Sequence, residues 1–118
     1  MKGIAVASTA IATLVIVWLA LSPTQLPLAL PGTDKTVHLI GFIALTLPSA
    51  ILYPRTLKWL LPFAVLFGGG IELIQPIFGR QGAWPDFYAD VVGTGAGALV
   101  GLLMRRLAIG LLEIAKPG

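Results

Sequence analysis

Five carboxylates, one histidine and eight basic residues carry nearly all the charge this 118-residue chain can offer, and they are unevenly placed. Asp34 and His38 stand four apart, Glu72 and Gln75 three apart, and Asp86 and Asp90 four apart. On helices, each of those spacings puts the two side chains on one face. Arg80 falls between the second and third pairs, and Lys35 lies beside the first.

Such a set suits three kinds of chemistry. Arg80 and Lys35 can contact a phosphate, the one through a planar fork and the other as a point charge. Glu72 and His38 are the candidates for a general base and acid, although the pattern assigns neither a catalytic role. Glu72, Asp86 and Asp90 could instead hold a divalent cation, because hard cations favour carboxylate oxygens. The chain has no cysteine, which removes disulfides and thiolate metal sites. With one histidine it has no zinc-binding H-E-x-x-H, and it has neither a nucleophile elbow nor a phosphate loop. The residues therefore lean toward a binding site rather than an enzyme, with no resident metal or cofactor expected.

The elements that must position these residues follow from composition. The chain is 57% apolar and 11% charged, against roughly 25% charged in soluble domains. Four apolar stretches, about 3–21, 35–53, 57–78 and 85–112, each approach the roughly 20 residues that a helix needs to cross a bilayer. Lipid leaves backbone groups no outside partner, so these stretches are expected to be helices. The expectation is one all-α domain over residues 1–118, an integral membrane four-helix bundle. The first stretch exceeds the usual apolar core of a signal peptide and lacks a clean cleavage site, which favours an uncleaved anchor.

Orientation comes from the basic residues. Lys2, Arg55, Lys58, Arg105, Arg106 and Lys116 fall on one side of a four-span chain, with Lys35 and Arg80 on the other. The positive-inside rule then puts both termini in the cytoplasm of a multi-pass protein of the bacterial cytoplasmic membrane. Trp18 and Trp84 belong to the outer interface, Tyr53 and Trp59 to the inner one. Glu113 is the one acid on the inner side, so the outer side is net acidic. Pro23, Pro27 and Pro31 imply a stiff first outer loop, Pro54-Arg55-Thr56 a tight inner turn, and Gly79 to Trp84 a short outer turn. Glu72 is placed about two turns inside the third helix, where a charge costs at least about 2.5 kcal/mol unless paired or hydrated. The inner basic residues act as topology signals, so no nucleic-acid partner is expected.

Other residues are there to pack. Ala89, Gly93, Gly97 and Gly101 recur every four residues and form a ridge almost without side chains. Such ridges let helix backbones approach closely in lipid. Gly95 would widen this face, and Gly68-Gly69-Gly70 on the third helix would be its counterpart. The same ridge could pair two copies, so the chain is expected as a monomer or a homo-oligomer. Pro48 and Pro62 are expected to bend the second and third helices.

In this order, Asp34-Lys35-x-x-His38, Glu72-x-x-Gln75, Gly79-Arg80 and Asp86-x-x-x-Asp90-x-x-Gly93 with Gly97 resemble the VanZ-like family of small bacterial membrane proteins. The resemblance covers about residues 34 to 101. Many members carry Asn where this chain has Asp90, so the site here is more acidic. The resemblance implies a cell-envelope role and a connection with resistance to the glycopeptide teicoplanin. On that reading Lys35, His38, Glu72, Gln75, Arg80, Asp86 and Asp90 form an outward-facing polar site. Its ligand would be a lipid headgroup or a cell-wall precursor, in contact with the bilayer. The alternative is an intramembrane enzyme acting on a lipid-linked phosphate, with a divalent cation.

Overall fold

The computed structural model describes residues 2–21, 33–78 and 84–116, with the side chains of residues 33–35 and 78 outside the description. The described residues form four helices and no strands: α1 Lys2–Leu21, α2 Thr33–Leu52, α3 Leu57–Ile74 and α4 Trp84–Ala115. Short 3-10 turns, Pro54–Thr56 and Gln75–Phe78, precede and follow α3. Residues 22–32, with the three prolines of the expected first outer loop, and residues 79–83 of the expected outer turn lie outside the described residues.

Local chemistry sets most of the boundaries. α2 stops at Leu52, just ahead of Tyr53-Pro54, because a residue before proline avoids the helical region. The turn that follows is closed by Thr56, whose amide and hydroxyl both donate to the Tyr53 carbonyl, at 3.1 and 2.8 Å. α3 tightens into a 3-10 turn at Gln75 because Pro76 has no N–H to give the Glu72 carbonyl. Glu72 thus lies in the last α-helical turn of α3, closer to its end than the two turns expected.

Two stretches, Lys2–Leu21 and Pro54–Ile77, are long and apolar enough to cross a membrane, with mean hydropathy of 2.4 and 1.6. The sequence pattern leads to an expectation of four. The described apolar part of α2, Thr36–Leu52, is shorter. α4 has Asp86 and Asp90 near one end and Arg105 and Arg106 further along. At 32 residues α4 is nevertheless the longest helix, about 48 Å at 1.5 Å per residue.

Burial runs opposite to that of a soluble protein. Leu14, Trp18, Leu66, Ile77, Leu107 and Ile114 are among many exposed large apolar side chains. His38, Thr46, Ser49, Glu72, Gln75, Asp86, Asp90 and Thr94 are buried. Apolar exposure on this scale marks a surface made for an apolar environment or a partner.

α2 and α4 are the main packing pair and run parallel. A Cβ added at Gly93 would lie 2.5 Å from the Leu39 carbonyl oxygen, and one at Gly97 would lie 2.8 Å from that of Ile43. At Gly101 it would lie 2.8 Å from the Leu47 oxygen and 2.5 Å from the Ala50 Cβ. Backbone therefore meets backbone along three turns. Between the two chains Thr46 donates to the Thr94 carbonyl at 3.1 Å, and Arg105 donates to the Ile51 carbonyl at 2.6 Å near the end of α2.

The glycine ridge thus faces α2, and the expected pairing with the α3 glycines does not occur. Gly68 and Gly69 receive the side chains of Asp90 and Phe87, whereas a Cβ at Gly70 or Gly95 would meet nothing within 4 Å. The reason is geometric: a helix has one smooth stripe, and Gly95 points away from the stripe that Gly93 and Gly97 share.

α3 packs against this pair through Phe42, Leu45, Leu57, Leu60, Ala64 and Ile71. The Phe42 and Phe67 rings lie 5.8 Å apart, centre to centre. α1 lies antiparallel to α2, with the Thr9 and Ser49 hydroxyls 3.1 Å apart. It is tied to the end of α3 by Gln75, whose side-chain amide donates to the Ala20 carbonyl at 3.0 Å.

The contrast between the glycines makes a direct prediction. Gly97→Ala should cost about 1–3 kcal/mol through overpacking against α2. Gly95→Ala should stay within about 0.5 kcal/mol of wild type. Thermal unfolding of the purified variants in one detergent measures both.

Candidate functional site

Three helices converge near one end of the bundle. α2 contributes His38, the last turn of α3 contributes Glu72, and the first two turns of α4 contribute Asp86 and Asp90. All four are buried. The His38 Nδ1 lies 2.6 Å from the Asp90 Oδ1 and 4.0 Å from the Glu72 Oε1. One potential ligand atom from each of His38, Glu72 and Asp90 lies within 4.8 Å of the others.

The His38–Asp90 contact follows from the packing below it. Asp90 is three residues before Gly93, and His38 is one residue before Leu39, whose carbonyl Gly93 faces. The parallel α2–α4 register therefore puts the two side chains opposite each other. A carboxylate oxygen accepts, so the Nδ1 donates to it, and such a bond orients the imidazole.

α3 completes the site through a residue that gives it no functional group. A Cβ at Gly68 would lie 2.9 Å from the Asp90 Oδ2 and 3.1 Å from the Asp90 Cβ, so the glycine makes room for the carboxylate. Glu72 follows Gly68 by one turn on the same face. In the sequence, Gly68 reads as a helix-packing residue alone. Its i, i+4 relation to Glu72 was the signal that it also shapes the site.

The remaining expected site residues divide. Gln75 is buried but uses its amide N–H to hold α1, a structural task. Asp86 is buried one turn before Asp90. Among the described residues, converging ligand atoms come from His38, Glu72 and Asp90, a set in which His38 stands where the carboxylate-only set has Asp86. Arg80 lies outside the described residues, as do the side chains of Asp34 and Lys35.

Two buried oxygens, the Gln75 Oε1 and the Asp90 Oδ2, have no hydrogen-bond partner among the described residues. Unpaired buried acceptors are costly, and each is a place where a donor or cation would be stabilised. The site can thus orient an imidazole, accept hydrogen bonds and attract positive charge. By contrast, an open groove of about 320 Å³ at the other end of α1–α3 is lined by Val6, Thr9, Ser49, Trp59, Leu60 and Phe63. It has room for an apolar group but no ionisable side chain among these.

No protein-family model, curated protein or solved structure matches the chain.

A double-mutant cycle tests the central contact. His38→Ala and Asp90→Ala should each destabilise the protein, and the double variant should lose less than the sum of the two. The coupling should be about 0.5–3 kcal/mol, as for residues in one buried hydrogen-bonded network. Strict additivity in thermal or denaturant unfolding would mean that the pair does not act together.

Proposed function

We propose that this chain is a VanZ-like protein of the bacterial cytoplasmic membrane whose outer polar site binds a lipid headgroup or a cell-wall precursor, altering susceptibility to glycopeptides such as teicoplanin. The convergence of buried His38, Glu72 and Asp90 from three helices supports a polar site, and the family and the glycopeptide link are taken from the motif resemblance alone. Ionisable groups are expensive in an apolar environment and mark functional sites there by default.

In this reading all four helices cross the membrane, with both termini cytoplasmic. α2 and α4 can do so despite their polar residues because those residues face the bundle interior, where His38, Thr46, Asp90 and Thr94 are buried. Arg55, Lys58 and Arg106 are exposed toward the inner end, where the positive-inside rule would have them. The cluster lies toward the opposite end, within reach of ligands from the outer leaflet. Lys35 and Arg80 belong to that end too and would contact an anionic headgroup.

A second reading draws on the 2.6 Å contact between His38 and Asp90. A carboxylate that orients a histidine is a recurring acid–base device, so the site would serve an enzyme acting on a lipid-linked phosphate. That reading needs turnover, which the binding reading does not.

The test expresses wild type, Glu72→Gln and Arg80→Ala at matched membrane levels in a susceptible bacterium and measures glycopeptide and lipoglycopeptide resistance. Wild type should protect, and each substitution should remove protection at equal abundance. Equal resistance in all three strains would sink the binding reading. Loss of a lipid-phosphate conversion in the Glu72→Gln strain would favour the enzyme.

A further inference from the structure

The cluster is acidic, yet the ligands proposed for it are anionic. A binding site for a phosphate or carboxylate group would need a positive charge where Glu72 and Asp90 now stand. We infer that His38, Glu72 and Asp90 bind a divalent first-row transition-metal ion, which in turn holds the anionic group of the ligand. This inference rests on the proposal that the outer cluster is a ligand site.

Three observations carry it. The first is the donor set: an imidazole nitrogen and two carboxylate oxygens, one from each of three helices, within 4.8 Å of one another. Zinc binds such nitrogens and oxygens at about 2.0–2.2 Å, which puts two ligands about 3.4 Å apart in a tetrahedral site. The three atoms thus need shifts on the order of 1 Å, of the kind a side-chain rotation supplies. The His38–Asp90 contact would open from 2.6 Å as the ion replaces the shared proton.

The second observation is the Asp90 Oδ2. Asp90 is only 1% exposed, and this oxygen has no hydrogen-bond partner among the described residues. It lies against the bare backbone at Gly68, one turn before Glu72. A buried carboxylate with an unused oxygen beside two other metal-type ligands is what a cation would complete.

The third is support. Asp90 and His38 are held by the α2–α4 backbone contact, and Gly68 leaves the carboxylate its space. Sites on rigid helices keep ligand geometry better than sites on loops.

Donor chemistry narrows the ion. Imidazole suits zinc, iron and nickel, and carboxylates suit manganese and magnesium, so the mixed set favours zinc or manganese over magnesium. Three protein ligands leave an open position, which the ligand's phosphate or carboxylate oxygen would fill. This removes the conflict of sign without requiring Glu72 and Asp90 to be protonated.

The experiment uses the full chain purified in detergent and stripped with a chelator. Zinc, manganese or magnesium chloride is then added, and metal per chain is measured by elemental analysis after gel filtration. Wild type should retain about one zinc or manganese ion and melt at a higher temperature with it. His38→Gln and Asp90→Asn should lower affinity by about tenfold or more, since even supporting residues of metal sites cost that much. Glu113→Gln, a carboxylate at the far end of α4, should bind like wild type.

Because the site variants could fold poorly, wild type is also loaded with cobalt. Intense visible absorption of the tetrahedral type, lost on zinc addition, would support the site. Wild type that retains no ion and shows no such spectrum would overturn it, as would undiminished binding by folded Asp90→Asn. Protection that still depends on Glu72 in a metal-free protein would remove the ion and leave the ligand site standing. Metal binding with protection indifferent to Glu72 would do the reverse.

Discussion

The contact between the backbones of α2 and α4 underlies the rest of the molecule. Gly93, Gly97 and Gly101 present bare backbone to the Leu39, Ile43 and Leu47 carbonyls, one glycine to each turn. An added methyl at any of the three would collide. Where lipid replaces water there is no hydrophobic force to bring helices together, so association depends on closeness, dispersion and polar contacts. Glycine supplies the closeness, and the Thr46 hydroxyl, reaching the Thr94 carbonyl, supplies a polar contact across it.

That contact also sets register. A helix displaced by one turn would bring the glycines against different carbonyls and move Asp90 away from His38. The site and the packing are thus one arrangement: the ridge that joins the helices also aligns their acid and imidazole. α3 then adds Glu72 and, through Gly68, leaves room for the carboxylate that α4 inserts. α1 is attached more loosely, by the Thr9–Ser49 hydroxyl pair and by Gln75 reaching the Ala20 carbonyl. It takes no part in the cluster of His38, Glu72 and Asp90.

Polar side chains therefore have two roles in this interior. Thr9, Thr13, Thr46 and Thr94 return hydroxyl hydrogen bonds to carbonyls one turn earlier, which satisfies them locally within a helix. Each thereby has its one hydroxyl hydrogen already engaged. Asp90 uses one carboxylate oxygen on His38 and has the other without a partner among the described residues. The threonine hydroxyls give their hydrogens to backbone carbonyls, whereas Asp90 keeps an acceptor in reserve. This difference is what separates structural polarity from a site.

Much of this was legible in the residues themselves. Long apolar stretches separated by prolines determined the helices, because a helix satisfies its own backbone hydrogen bonds and proline cannot continue it. Three- and four-residue spacings determined which polar groups share a face, because an α-helix turns every 3.6 residues. The glycine repeat announced close packing. Its partner was not legible: the glycines of α3 offered the smooth face, whereas in the fold the ridge meets the α2 backbone at Leu39, Ile43 and Leu47, a choice made only by how the helices assemble. Tertiary structure likewise decided that His38 rather than Asp86 joins Glu72 and Asp90. Spacing along a helix fixes direction around its own axis, but distance between helices depends on how closely their backbones meet.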